Sequence, residues 1–337
     1  MKVSLILSGI AGLALAIWLF VHYGLAQIGD AFAAAGALGL AAICAAHIVS
    51  LVLRGLGWRA LLLEPHRRAT LACLWARWLR DSTGNLLVLL PMAGELIGAR
   101  ELTMRGIRLA PAGASTVVDM TIEILSQLVF TLIGVALLVA AQPSVGNVWW
   151  SIGGLVVAAA AMAGFIAVQR NGLFQFFERM SERLGLKEHF ASLGELGRID
   201  AAIREIYSRP MRVATSIMLH FAAWIAAAGE VWVGVWFMGY DLSFADALII
   251  ESVVLALRTA AFIVPGAAGV QEGGYLMLGT MLGLPPDAAL ALALLKRSRE
   301  FVIGLPALLI WQGIESRRLW LRSVRSRRER EVSEPRA

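Results

Sequence analysis

The sequence predicts an all-α integral membrane protein with about six full spans and two re-entrant helical hairpins, seven or eight hydrophobic segments in all, arranged as an inverted structural repeat. Three observations carry this expectation. Of 337 residues, 58% are hydrophobic and only 16% charged, and the mean hydropathy is +0.72, which is membrane rather than soluble-domain composition. Lys and Arg gather in particular connecting loops and are missing from others, as the positive-inside rule requires. Two hydrophobic segments are interrupted by proline, glycine and acid in the same order, about 175 residues apart.

The elements follow in order. Residues 3–23 have the length of a span; the stretch is too long, and lacks the small-residue cleavage site, to be a removable signal peptide. The loop 24–35 has no Lys or Arg, whereas 54–70 holds Arg54, Arg59, Arg67 and Arg68, so the N-terminus reads as cytoplasmic. Segment 71–108 begins apolar, carries Arg77, Arg80 and Asp81, passes Gly84 and Pro91, and ends on Arg100, Arg105 and Arg108. Both its ends read as cytoplasmic, so a re-entrant hairpin is expected, with two short spans as the less economical description. Residues 112–141 cross outward and 148–168 return, with Trp149 and Trp150 forming an aromatic belt at the outer interface.

The segment 170–211 is cytoplasmic and mixed in charge. Leu173, Phe176, Phe177, Met180 and Leu184, then Ile199, Ile203 and Ile206, fall at helical spacing, as in helices that lie on the inner membrane surface or pack on protein. Residues 213–239 go outward, 240–246 form an acidic outer loop, and 247–284 repeat the broken pattern with Glu251, Arg258, Pro265, Gly266, Gly269, Gly273 and Gly274. Residues 288–312 cross back to a cytoplasmic tail with eight arginines from Arg317 onward, a topology anchor that could also touch anionic lipid. The resulting division is an N-terminal helix and outer loop (1–35), a first membrane unit (36–141), a linking span (142–169), an amphipathic segment (170–211), a second membrane unit (212–312) and the basic tail (313–337).

Within the two units, Pro91, Gly94 and Glu95 answer to Pro265, Gly269 and Glu272. The turns Gly106-Ile107 and Gly283-Leu284 precede Pro111 and Pro286, and Asp119 and Glu123 answer to Lys296, Arg297, Arg299 and Glu300. A charge at the bilayer centre costs about 2.5 to 3.5 kcal/mol on insertion scales, so these side chains must face a bundle interior or a wet cavity. Lys296, Arg299 and Glu300 share one helix face, as do Asp119 and Glu123. The functional reading is a polar cavity in which Lys296, Arg297 and Arg299 attract a phosphate or carboxylate headgroup. Glu95, Glu272, Asp119 and Glu123 balance them or accept protons, and the glycines beside Glu95 and Glu272 present backbone N–H groups. The rival is a closed set of ion pairs that locks the units together. Glu230, Glu251, Arg77, Arg80 and Arg258 are secondary candidates; the five histidines are scattered and read as packing or interfacial residues.

No phosphate-loop, HExxH or GxSxG motif is present, so nucleotide hydrolysis, zincin chemistry and an esterase elbow have no local support, and no metal or cofactor is expected. Cys44 and Cys73 lie without partner spacing in or beside apolar stretches and read as packing residues. The net charge of +6 comes from arginines at the ends of apolar stretches and in the tail, which reflects membrane topology rather than nucleic-acid binding.

The stretches Pro91-Met92-Ala93-Gly94-Glu95 through Arg100, and 265–272, resemble the two glycine–acid motifs of the flippase-like membrane domain of lysylphosphatidylglycerol synthases, over nearly the whole chain. The stretch Trp75-Ala76-Arg77-Trp78-Leu79-Arg80, the helix from Val118-Asp119 to Glu123 and the run Lys296-Arg297-Ser298-Arg299-Glu300 look like the branch associated with bacterial hopanoid biosynthesis. The resemblance implies a bacterial inner-membrane protein that moves a hopanoid, isoprenoid or phospholipid between leaflets, with membrane lipid and hopanoid-pathway proteins as partners. The alternative is a membrane-embedded enzyme or scaffold of lipid modification. The chain ends in a short basic tail where the full synthases carry a soluble aminoacyl-transfer domain, so lipid aminoacylation is not carried over. Ala93 stands where many relatives have a basic residue.

Overall fold

The computed structural model describes residues 14–15, 17–19, 21–22, 25–63, 68–86, 93–141, 193–261 and 264–333. The expectations for the start of the first span, for Pro91, for the linking span with Trp149 and Trp150, and for the apolar stripe of 173–184 lie outside the described residues. Every regular element among the described residues is helical. We number the longer ones α1 Leu25–Leu61, α2 Ala69–Leu86, α3 Ala93–Met104, α4 Leu109–Ala141, α5 Leu193–Tyr207, α6 Pro210–Phe237, α7 Phe244–Ala260, α8 Val270–Met281 and α9 Pro286–Ser333.

Among the described residues, three helices have the length and composition to cross a membrane: Ile28–Leu61 within α1, Leu109–Ala141 and Pro210–Phe237. Their surfaces are arranged for lipid. Leu38 is 77% exposed, whereas Asp119 is 0% and Glu230 1% exposed, so apolar side chains face outward and these charges inward. The chain is thus a multi-pass membrane protein. The first part of α9 carries four charges between Lys296 and Glu300, all turned to the interior or half-buried. At 12 residues each, α3 and α8 rise only about 18 Å, against the roughly 30 Å of hydrocarbon.

Two stretches of chain run through the same succession of elements: a long helix, then helices of 18 and 12 residues in the first and of 17 and 12 in the second, then another long helix. Both 12-residue helices stop in the same way. Gly106 and Gly283, 177 positions apart, each have φ 92°, a left-handed value that a Cβ would strain. Beyond them the N–H of Ile107 donates to Leu102 O (3.2 Å) and that of Leu284 to Gly279 O (2.9 Å), again 177 positions apart.

Among the described residues the most extensive helix pair is α1 with α6. Around them, α2 packs on α3, α1 and α9, while α7 packs on α4, α6 and α8. Ile203 and Ile206 of α5 are buried against Leu61, Ala114 and Val118, so its apolar face packs on protein, the second of the two expectations for that segment.

Candidate functional site

Two networks of buried charge each draw residues from both α1 and α6. In the first, Arg77 and Arg80, three residues apart on one face of α2, meet Asp119 and Glu123, four apart on α4. Arg80 Nη1 donates to Asp119 at 2.6 Å and Nη2 to Glu123 at 3.1 Å. Arg77 Nη1 donates to Glu123 at 2.9 Å and its Nε to Asp81 at 3.0 Å, one turn along α2. Glu95, in the first turn of α3, stands 3.6 Å from Arg80 Nε. That approach needs Gly94, where a Cβ would come within 2.5 Å of the Arg80 carbonyl oxygen. The Arg80 guanidinium lies over the buried ring of Trp58, 5.6 Å from its centroid. Arg54 of α1 is 3.8 Å from both Asp81 and Glu123, and lies over Trp224.

In the second network the base is on the long helix and the acids come to it. Lys296 Nζ of α9 donates to Glu230 of α6 and Glu251 of α7, both at 2.9 Å. Arg299, three residues along the same face, is 3.2 Å from Glu230 and packs against His47 of α1. Arg258, at the end of α7, donates to Glu300 at 3.2 Å. Tyr275 of α8 donates to Glu251 at 2.9 Å, which holds the short helix against the network. Unpaired, each of these buried charges would cost several kcal/mol; the pairing is what makes their burial tolerable.

Between the networks is an open cavity of about 440 Å³. Among the described residues, six cations (Arg54, Arg77, Arg80, Arg258, Lys296 and Arg299) and six acids (Asp81, Glu95, Glu123, Glu230, Glu251 and Glu300) line it. Each of the two stretches contributes three of each sign.

The structure therefore gathers most of the residues singled out from the sequence: Arg77, Arg80, Glu95, Glu123, Arg258, Lys296, Arg299 and Glu300 all reach the cavity wall. Asp119 sits behind the wall, fully buried. Glu272, Gly269 and Arg297 do not line it. Glu272 accepts the Gly269 N–H at 2.7 Å as part of the N-terminal cap of α8, and accepts from Arg297 Nε at 3.0 Å. Arg100 is farther away, on the surface, where it donates to Glu315 of α9 at 2.6 Å.

Glu230 and Glu251, secondary candidates by sequence, hold the centre of the second network. His47 and His220, read as packing residues, both sit in networks: His47 Nδ1 is 2.8 Å from Glu230, and His220 Nε2 is 3.2 Å from Asp119. The two histidines are exchanged, since α1 delivers His47 to the second network and α6 delivers His220 to the first. The available signal was a polar residue in an otherwise apolar helix, which burial alone makes costly.

Asp119, Glu123 and His220 present ligand atoms within 4.8 Å of one another, a spacing that could hold a metal ion. Arg77 and Arg80 already bond both carboxylates, so a dication there would stand among guanidiniums. The arrangement fits an ion-pair network and not a metal centre.

Comparison with curated proteins and with solved structures gave no match. The family model for the lysylphosphatidylglycerol synthase TM region matches residues 3–307, nearly the whole chain, and with it the membrane helices and buried charges described above: the chain belongs to this family of membrane, lipid-related proteins.

Proposed function

We propose that this protein moves a lipid, a hopanoid, isoprenoid or phospholipid, between the leaflets of the bacterial inner membrane. The headgroup enters the charged cavity and the tails stay in the bilayer. The observation that carries this reading is the open cavity of about 440 Å³ whose charged wall is drawn in equal parts from two similarly built stretches. Lining charges in a membrane interior mark pathways for polar groups. Two stretches of like succession around one site suit alternating access if they lie inverted in the bilayer, as the loop charges imply for 36–141 and 212–312, with both termini cytoplasmic. The short helices α3 and α8, each ended by a left-handed glycine, are the elements that would rock.

The test is reconstitution of the full chain in liposomes that carry a fluorescent lipid, with a membrane-impermeant quencher added outside. Wild-type protein is expected to raise the quenchable fraction toward completeness at a rate above that of empty vesicles, with the mass of the lipid unchanged. A rate equal to that of empty vesicles for every lipid class tried overturns the proposal. One observation favours the rival reading, a closed lock: every lining cation has a carboxylate within 4 Å. Under the lock reading, neutralising Lys296 and Glu251 together leaves the protein's role in cells intact; under transport it does not.

A further inference from the structure

The lining charges cancel. With His47 counted neutral, the six cations and six acids that line the cavity among the described residues sum to zero, three of each sign from each stretch, while Asp119 stands behind the wall 3.2 Å from His220. A net anion or a net cation entering this space would leave a single uncompensated charge in a low-dielectric interior, and could bind only by displacing one partner of an existing pair. A group that carries both signs can exchange partners without changing the balance.

The cavity also shows where such an exchange would start. Most lining charges are deeply buried, but Glu95 and Arg258 are 26% and 25% exposed as side chains, the highest values found for the charged groups on this wall. Among the described residues each has a single ion-pair partner: Arg80 at 3.6 Å for Glu95, and Glu300 at 3.2 Å for Arg258. They are of opposite sign, and they come from opposite stretches, one at the start of α3 and the other at the end of α7.

From these observations we infer that the cavity selects a lipid with a zwitterionic headgroup, whose ammonium pairs with Glu95 and whose phosphate pairs with Arg258. The inference rests on the transport reading for its biological meaning, but not for its test. Because the phosphate enters as the ammonium enters, neither network needs to release a fully buried charge. The headgroup would bridge the two stretches, so it is held only while both face the cavity.

The experiment is lipid competition on the purified full chain in detergent, with retained lipid read by native mass spectrometry. The probes are phosphatidylethanolamine, phosphatidylglycerol, a dialkyl trimethylammonium lipid and an uncharged hopanoid polyol. Wild-type protein is expected to retain phosphatidylethanolamine over the other three by roughly tenfold, the equivalent of one charge-assisted hydrogen bond. Glu95→Gln leaves the wall one charge positive and shifts the preference to phosphatidylglycerol; Arg258→Gln leaves it one charge negative and shifts the preference to the cationic lipid. The double variant Glu95→Gln with Arg258→Gln returns the lining sum to zero and removes the preference for phosphatidylethanolamine without shifting it to either charged lipid, which keeps the test decisive if a single variant inserts poorly. Preference for phosphatidylglycerol, the cationic lipid or the polyol by the wild type overturns the inference, as does an unchanged preference in both single variants. Zwitterion retention with the expected sign changes but no leaflet exchange in liposomes would sink the transport reading alone; exchange of phosphatidylglycerol without retention of phosphatidylethanolamine would sink this inference alone.

Discussion

Asp119 and Lys296 stand 177 positions apart, at the same place in α4 and α9, and both are buried; one is an acid and the other a base. Their partners are exchanged with them: Arg77 and Arg80 surround Asp119, whereas Glu230 and Glu251 surround Lys296. One turn further on, Glu123 and Glu300 keep the same sign in both helices. The helix geometry thus fixes where a charge is buried, while its sign is set by the neighbours that the packing brings. The two networks also differ in redundancy. Arg77 and Arg80 share Asp119 and Glu123, and Arg77 has Asp81 as well, whereas the Lys296 ammonium alone joins Glu230 to Glu251.

That difference predicts the largest effect. Lys296→Met should cost about 3 to 5 kcal/mol, because it leaves buried Glu251 with no ion-pair partner among the described residues, while Glu230 keeps Arg299. Asp119→Asn, whose cations keep Glu123, should cost about 1 to 3 kcal/mol. Thermal denaturation in detergent compares the two, and equal losses would show that the networks carry equal load.

The next contrast lies in the short helices. Buried Glu101 of α3 accepts from Trp75 Nε1 at 3.1 Å and Trp311 Nε1 at 3.2 Å and pairs with Arg105, which ties α3 to α9. The position 177 further on is Leu278, in the apolar core. Glu101→Leu should therefore cost about 1.5 to 3 kcal/mol and loosen α9 from α3, seen as faster amide hydrogen exchange at Trp311; unchanged exchange would mean that the tie is not needed.

A smaller effect is expected at Gly94, whose place 177 positions on is held by Gln271 and not by Gly269, its match in the sequence motif. Gly94→Ala drives a methyl group onto the Arg80 carbonyl and should cost about 1 to 3 kcal/mol, whereas Gln271→Ala should cost about 1 kcal/mol or less, since its amide has no hydrogen-bond partner among the described residues. If both variants melt alike, the closer approach of α3 to α2 is not what distinguishes the two hairpins.

The smallest effect is at the surface end of α9. Hydrogen bonding from Arg100 holds the Glu315 carboxyl below the usual glutamate range, with Arg318 adding to the effect. A depressed folded-state value means that the contact stabilises above the ordinary glutamate pKa and is lost as pH falls through the lower folded value. Spin labels on α3 and the end of α9 should report separation only on acidification, and Arg100→Ala should remove that pH dependence.

Much of the membrane architecture was legible from one-dimensional signals. The twelve-residue helices end where Gly106 and Gly283 stand, because a left-handed stop is a local demand on one residue. The charged faces of α4 and α9 followed from spacings of three and four. The prominence given to Glu272 and Arg297 did not carry over to the cavity wall, because a glycine–acid pattern is equally the pattern of a helix cap, and Glu272 serves that local role.

The sequence by itself determined that this chain lives in a membrane, where its helices break, and which faces carry charge, since composition, loop charge and helical period act over a few residues at a time. Only the tertiary structure decided which charges meet. His47 and Glu230 are 183 positions apart, and Lys296 and Glu230 are 66 apart; no spacing rule reaches across such distances. The pairing is set by the packing of α1 against α6, which depends on residues all along both helices. That packing sends each histidine into the other network and leaves between the networks a cavity whose lining charges, among the described residues, sum to zero.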